Sequence, residues 1–240
     1  STEMKSRALF VLLQSGSDRA VDVVGQMART GDDELRLQAV RGLAMVGDER
    51  AGPFLEEIYR STDDIEVKRA VMEGWAMGGA SDRLLEVARS TADVELRITA
   101  VRALAMTGDA DVLWTLYDAE PSPEIRMAIL RHVFMTGDSS RLLQIVQTEQ
   151  DPEVRLAAVR SIGMMGYEHD GDGEGDAAAI NDVLVDLYSN GDREIRAGVL
   201  EALAMRDQTS LLIQLFDQET DPELRTHIVR VLSMSDSEEA

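Results

Sequence analysis

The stretch Asp151-Pro152-Glu153-Val154-Arg155-Leu156-Ala157-Ala158-Val159-Arg160-Ser161-Ile162-Gly163 decides the fold of this 240-residue chain. It opens as a helix does. Asp151 offers a side-chain acceptor to backbone N–H groups that have no partner in a first turn, Pro152 presets φ at the first helical position, and Glu153 faces the positive end of the helix dipole. Apolar residues then recur at helical spacing through Ile162, and Gly166 stands where a C′ residue would end the helix. The same start recurs at Asp221-Pro222-Glu223, and with serine in the capping position at Ser122-Pro123-Glu124.

Lined up against itself, the chain carries Glu-x-Arg/Lys eight times: Glu3/Lys5, Glu34/Arg36, Glu66/Lys68, Glu95/Arg97, Glu124/Arg126, Glu153/Arg155, Glu194/Arg196 and Glu223/Arg225. The basic members are spaced by 31, 32, 29, 29, 29, 41 and 29 residues. Nine residues after each comes methionine in seven of the eight units (Met45, Met77, Met106, Met135, Met164, Met205, Met234), with Gln14 in the first. Two positions further on stand Gly16, Gly47, Gly79, Gly108, Gly137 and Gly166, replaced by Asp207 and Asp236 in the last two units. Each unit therefore predicts a helix A of about 13 residues, a polar turn, and a second apolar helix, B, such as the one carrying Leu142, Leu143, Ile145 and Val146. Three turns of helix cannot bury an apolar face alone, so successive pairs must stack into a shared core.

The resulting expectation is an all-α superhelix of about seven helix pairs plus a final helix. One solenoid spans residues 1–240, with repeats at about 1–30, 31–61, 62–90, 91–119, 120–148, 149–190, 191–219 and 220–234. The sixth repeat carries an acidic insertion at 167–178, and 235–240 forms an acidic tail. Composition agrees: aromatics are 4%, cysteine is absent, and the apolar 44% is mostly Leu, Val, Ala and Met.

The core pattern at 151–163, with its relatives at 93–105 and 221–232, resembles bacterial HEAT-like repeats of the kind first grouped with phycobilin lyase subunits. The resemblance covers essentially the whole chain. It implies a fold shared by many adaptors and scaffolds, and specifies that fold better than any activity. It also implies a ladder in which Arg36, Lys68, Arg97, Arg126, Arg155, Arg196 and Arg225 reach acids or carbonyls of the preceding unit. The segment 7–12 is similar to large multi-repeat bacterial proteins, of which the chain could be a C-terminal piece.

Forty-five acidic residues against 24 basic ones give a formal charge of −21, which argues against nucleic acid or anionic membrane as a partner and for a basic protein or peptide. No run of 18 apolar residues occurs and Ser1–Lys5 lack the apolar core of a signal peptide, so a soluble chain is expected, cytoplasmic or exported if a leader was removed. Helix B is expected to line the concave face. Its polar column Glu57, Glu86, Thr115, Gln144, Asp186 and Gln214 is the expected binding surface, beside interior Leu84, Leu113, Leu142 and Leu212. Trp114, next to that column, is either an exposed anchor or a core residue. The methionine column is expected to fill gaps between layers, because helices about 8–10 Å apart cannot share a copper ion between Met45, Met77 and Met106.

No cofactor is expected. In the insertion, Asp170, Asp172, Glu174 and Gly175 match the opening of a calcium loop, but Asn181 stands where its bidentate Glu belongs, which favours an acidic loop. The three histidines, His132, His169 and His227, lie in distant units. With no nucleophile elbow, P-loop or dinucleotide fingerprint, the expectation is a non-catalytic interaction scaffold, with a structural spacer or a calcium-responsive scaffold as alternatives.

Overall fold

A computed structural model describes residues 7, 9, 11, 12, 17–31, 33–45, 48–165 and 174–233, and every regular element among them is helical. The chain divides into two compact units, residues 1–120 and 121–240.

In the first unit, B-type helices α1 (Asp18–Thr30), α3 (Asp48–Ser61), α5 (Ser81–Ser90) and α7 (Ala110–Ala119) alternate with A-type helices α2 (Asp33–Ala44), α4 (Ile65–Met77) and α6 (Val94–Met106). The A helices pack side by side, α2 on α4 and α4 on α6, and the B helices do likewise, α1 on α3 and α5 on α7. The second unit repeats the scheme. Its A layer is α8 (Pro123–Val133, finished by a 3₁₀ turn at Phe134–Thr136), α10 (Pro152–Met164), α12 (Arg193–Met205) and α14 (Pro222–Leu232). Its B helices are α9 (Ser139–Thr148), α11 (Glu174–Asn190) and α13 (Thr209–Gln218). The all-α reading and the helix pairs of the sequence are thus present in both units.

The start signals act as caps. Asp151 accepts from the Glu153 and Val154 N–H groups at 3.0 and 3.2 Å, Asp221 from Glu223 at 2.9 Å and Asp93 from Leu96 at 3.1 Å. Ser122 occupies the same position before Pro123 without a side-chain cap bond. Three members of the glycine column end A helices as expected, Gly79, Gly108 and Gly137 having φ of 72°, 76° and 76°, while Gly16, Gly47 and Gly166 lie outside the described residues. Asp207, their replacement, adopts φ 56°, a conformation that aspartate tolerates better than most residues.

The A layers are tightly apposed at small residues. A methyl added at Gly163 would lie 2.7 Å from the Ala202 Cα, and one at Gly74 would lie 2.8 Å from the Ala44 Cβ. Between α8 and α10, the fully buried Ser161 hydroxyl donates to the Leu130 carbonyl. The longer sixth repeat is partly explained: α11 has 17 residues against 10 in α9 and α13, so the C-terminal part of the insertion lengthens helix B. Residues 166–173, with the calcium candidates Asp170 and Asp172, lie outside the described residues, and Glu174 opens α11.

Candidate functional site

Two faces of the stacked pairs reach solvent, and the sequence pattern decides what each presents. Along helix A, the Glu of Glu-x-Arg and the residues three, seven and eleven positions later share one outward face. In α10 these are Glu153, Leu156, Arg160 and Met164; in α12 they are Glu194, Ala197, Glu201 and Met205. The Glu and Met columns repeat from α2 to α12, whereas the two columns between them vary. A groove of about 590 Å³ runs over this face of α8, α10 and α12. The half-buried Met127, Leu156 and Ala197 line it with the buried Ala157, Ser161 and Gly198, Arg131 and Arg160 reach it, and Glu153 and Glu194 form one rim and Met164 the other. Eleven residues of helix set the rims about 16 Å apart. Arg160 within the groove pairs with Glu201 at 3.3 Å, whereas Glu153 and Glu194 are exposed and make no ion pair among the described residues.

The methionines correct the sequence reading. Met45, Met77, Met106, Met135, Met164 and Met205 are 46–76% exposed and do not fill the gaps between layers. Each sits on the last turn of its A helix or in the turn that closes it, on the face that also carries the Glu rim, and the layers are closed underneath by residues such as Gly163 and Ala202. Apolar residues at helical spacing read as core, and nothing local to the sequence distinguishes this outer stripe from the inner one.

On the B face, Glu57, Glu86, Thr115, Gln144, Asp186 and Gln214 are all exposed, with Leu84, Leu113, Leu142 and Leu212 buried beside them as expected. Glu57 pairs with Arg29 at 2.6 Å and lines a cleft of about 260 Å³ with Arg36, and Glu86 lines another of about 150 Å³. Asp186 accepts from the Asn190 amide at 2.9 Å. Trp114 is no exposed anchor: it is 4% exposed and packs edge-on against Tyr117, 6.0 Å between ring centroids. Its position lies between the solvent and core sides of helix B, and a ring of that size reaches inward. Trp75 is buried likewise.

The basic ladder joins the two layers. Arg97 donates from Nε to the Ala88 carbonyl at 2.6 Å and Arg155 to the Val146 carbonyl at 2.8 Å, each at the end of the preceding B helix. Arg225 reaches the Glu219 carbonyl at 3.2 Å and stacks over Phe216. The acids, however, come from the end of the arginine's own pair: Arg97 binds Glu120, Arg126 binds Glu149 and Arg196 binds Glu219. Lys68 instead lies over the Tyr59 ring. Each glutamate follows its arginine by 23 residues, a column present in the sequence and missed there. The carboxylates also organise the loop into the next pair, since Glu149 accepts from the Gln150 and Asp151 N–H groups, and Glu219 from those of Thr220 and Asp221, all at 2.8 Å.

The Glu219 joint is the most elaborate, because the Tyr188 hydroxyl also donates to it and Arg196 lies over the Tyr188 ring. Burial alone would raise the Glu219 carboxyl, but the bonds from Tyr188, the Asp221 N–H and Arg196 outweigh it and hold the group below its ordinary value. Burial, then the bond to Glu219, pushes the Tyr188 phenol up to about 12. Among the described residues no group of three or more His, Asp or Glu side chains could share a metal ion, and no helix is long and apolar enough to cross a membrane.

The sequence pattern of the family described as HEAT repeats matches residues 1–76 and 139–233, well over half of the chain. The chain belongs to the HEAT-repeat family. Among solved structures, this HEAT-repeat chain is similar to the complex of CpcE and CpcF of phycocyanin lyase from Nostoc sp. PCC7120. The two share 16% identity over 97% of this chain and 89% of that one, with a TM-score of 0.40. No curated protein matches it.

Proposed function

We propose that this HEAT-repeat protein is a non-catalytic scaffold that binds a basic, partly apolar protein segment on the outer face of its A helices. The observation that carries this reading is the groove over α8, α10 and α12, whose apolar lining of Met127, Leu156 and Ala197 lies beside the two acids Glu153 and Glu194, free of ion pairs among the described residues. An amphipathic helix about 10–12 Å across fits between rims about 16 Å apart, with its apolar stripe on the floor and its lysines or arginines on the glutamates. A formal charge of −21 draws such a partner in and repels nucleic acid. The absence of any nucleophile, phosphate-loop or dinucleotide motif in the sequence supports the non-catalytic reading.

The B face remains a second reading because its six polar residues are all exposed. Glu57 and Asp186, however, already have partners in Arg29 and Asn190. Anisotropy titrations of a labelled helical peptide of leucine and lysine at low salt separate the two. On the A-face reading, Glu153→Lys with Glu194→Lys weakens binding about tenfold, while reversal of Glu57, Glu86 and Asp186 changes it less than about threefold. The opposite ranking moves the site to the B helices, and indifference to both sets discards the acidic-face reading.

A further inference from the structure

We propose that the methionine column is an oxidation site, and that its conversion to sulfoxide by a hydroperoxide releases the partner of the A face; the release rests on the functional reading above. Six layers each present one thioether, 46–76% exposed, at the same place on helix A. The same chain buries other methionines, Met72 completely and Met165 to 5% exposure, so exposure belongs to the column and not to the residue type. With no cysteine in the sequence, no thiol competes for a two-electron oxidant, and the exposed thioethers are the most readily oxidised sulfur available.

The chemistry is self-contained once hydrogen peroxide is supplied. A lone pair on Sδ attacks one peroxide oxygen, the S–O bond forms as the O–O bond breaks, and the departing hydroxide takes up the remaining proton as water. Sulfur is oxidised by two electrons and the peroxide reduced by two. The product is polar and chiral where the thioether was apolar. Met164 lines the groove, and Met135 in the 3₁₀ turn after α8 and Met205 on α12 hold the same repeat position, so oxidation turns the apolar rim polar while the Glu rim is untouched. Because the layers close on residues such as Gly163, Ala202 and the buried Met165, the stack itself has no oxidised group to accommodate.

The test treats the full chain with hydrogen peroxide for graded times and maps oxygen uptake by peptide mass spectrometry. The six exposed methionines should react at least about tenfold faster than Met72 and Met165, with helix content unchanged. Equal rates, or loss of helix before uptake, overturn the proposed site. The leucine–lysine peptide, which contains no methionine, then reports on release. Affinity should fall about tenfold after oxidation, and a chain carrying Met127→Leu, Met135→Leu, Met164→Leu and Met205→Leu should bind equally before and after the same treatment. Equal binding by the untreated and oxidised chains overturns the release alone. No binding by the untreated chain overturns the functional reading, and the release with it, while leaving the oxidation map to stand or fall on its own result.

Discussion

The A face of the first unit carries the same columns as that of the second, yet one residue changes what it offers. Where the second unit has Met127, Leu156 and Ala197, the first has Leu37, Arg69 and Ile98. Arg69 lies on the surface between two rim acids, 3.2 Å from Glu66 and 3.3 Å from Glu95. Arg69 thus neutralises part of the first unit's acidic rim from within, while in the second Arg193 does so for Glu223, 2.6 Å away, and Glu153 and Glu194 are left for something else. A repeat can keep its fold signature in every layer and differentiate its surface through one half-buried outward position, because the stack is closed mainly by the fully buried residues beneath it.

The joints between layers differ in the same way. At the ends of α3 and α5 in the first unit stand Thr62 and Thr91, whereas Glu149 and Glu219 stand there in the second, and in the first only Glu120, at the end of α7, makes the same joint with Arg97. The largest effect predicted from this contrast is for Glu219→Ala, which strands Arg196, the Tyr188 hydroxyl and two loop N–H groups. It should cost about 3 kcal/mol, read as lost hydrogen-exchange protection in α11–α14. Thr91→Ala in the first unit should cost less than about 1 kcal/mol. Comparable losses would mean that the carboxylate joint is no stronger than the threonine one.

Next comes the packing of the A layers. Gly163→Ala drives a methyl into the backbone of α12 and should destabilise by about 1–2 kcal/mol in urea, even after the helix gains from losing a glycine. Gly74→Ala meets mainly the Ala44 methyl and should cost less. At the surface, Arg69→Leu should free Glu66 and Glu95 and give the first unit an open face like the second, raising peptide affinity by about threefold or more, roughly 0.7 kcal/mol, in the anisotropy titration. If affinity does not change, Arg69 is not what distinguishes the faces.

The layout was legible in the sequence wherever the physics was local. Asp151 and Asp221 cap because acceptor, proline and acid stand side by side, and Gly79, Gly108 and Gly137 end helices because only their own φ is at issue. What depends on the partner across a layer was not legible. Met164 and Ile162 are both apolar residues in one helix, but Ile162 is fully buried and Met164 lies on the groove. Which side is inward depends on where α8 and α12 lie, and a single helix does not record that. The Glu120, Glu149 and Glu219 column is an intermediate case: its 23-residue offset was there to be read, while its bond to the arginine required the turn of the whole pair.

The smallest predicted effects are in pH, and on the acid side they again separate the units, because the counterpart of the Tyr188–Glu219 pair in the first is Tyr59 with Thr91, which brings no carboxylate. Glu219 is held below the ordinary 4.5, so folding favours its ionised form. That contribution is fully present above the unfolded value and is lost as pH falls through the lower folded one, so α11–α14 should lose protection on acidification below about 4.5 before the helices of the first unit do. Tyr188 is shifted the other way, from 10.0 to about 12, so folding favours the neutral phenol. Its contribution is complete below 10 and fades as pH rises toward 12, giving a second loss in the same helices, and the Tyr59 phenol of α3, also raised by burial, adds an alkaline loss of the same sign in the first unit. Tyr188→Phe should remove the alkaline loss while Arg196 still holds Glu219. If hydrogen exchange between pH 9 and 11 is the same in that variant as in the parent, to within about 0.3 kcal/mol, the phenol does not contribute to the joint as its geometry requires.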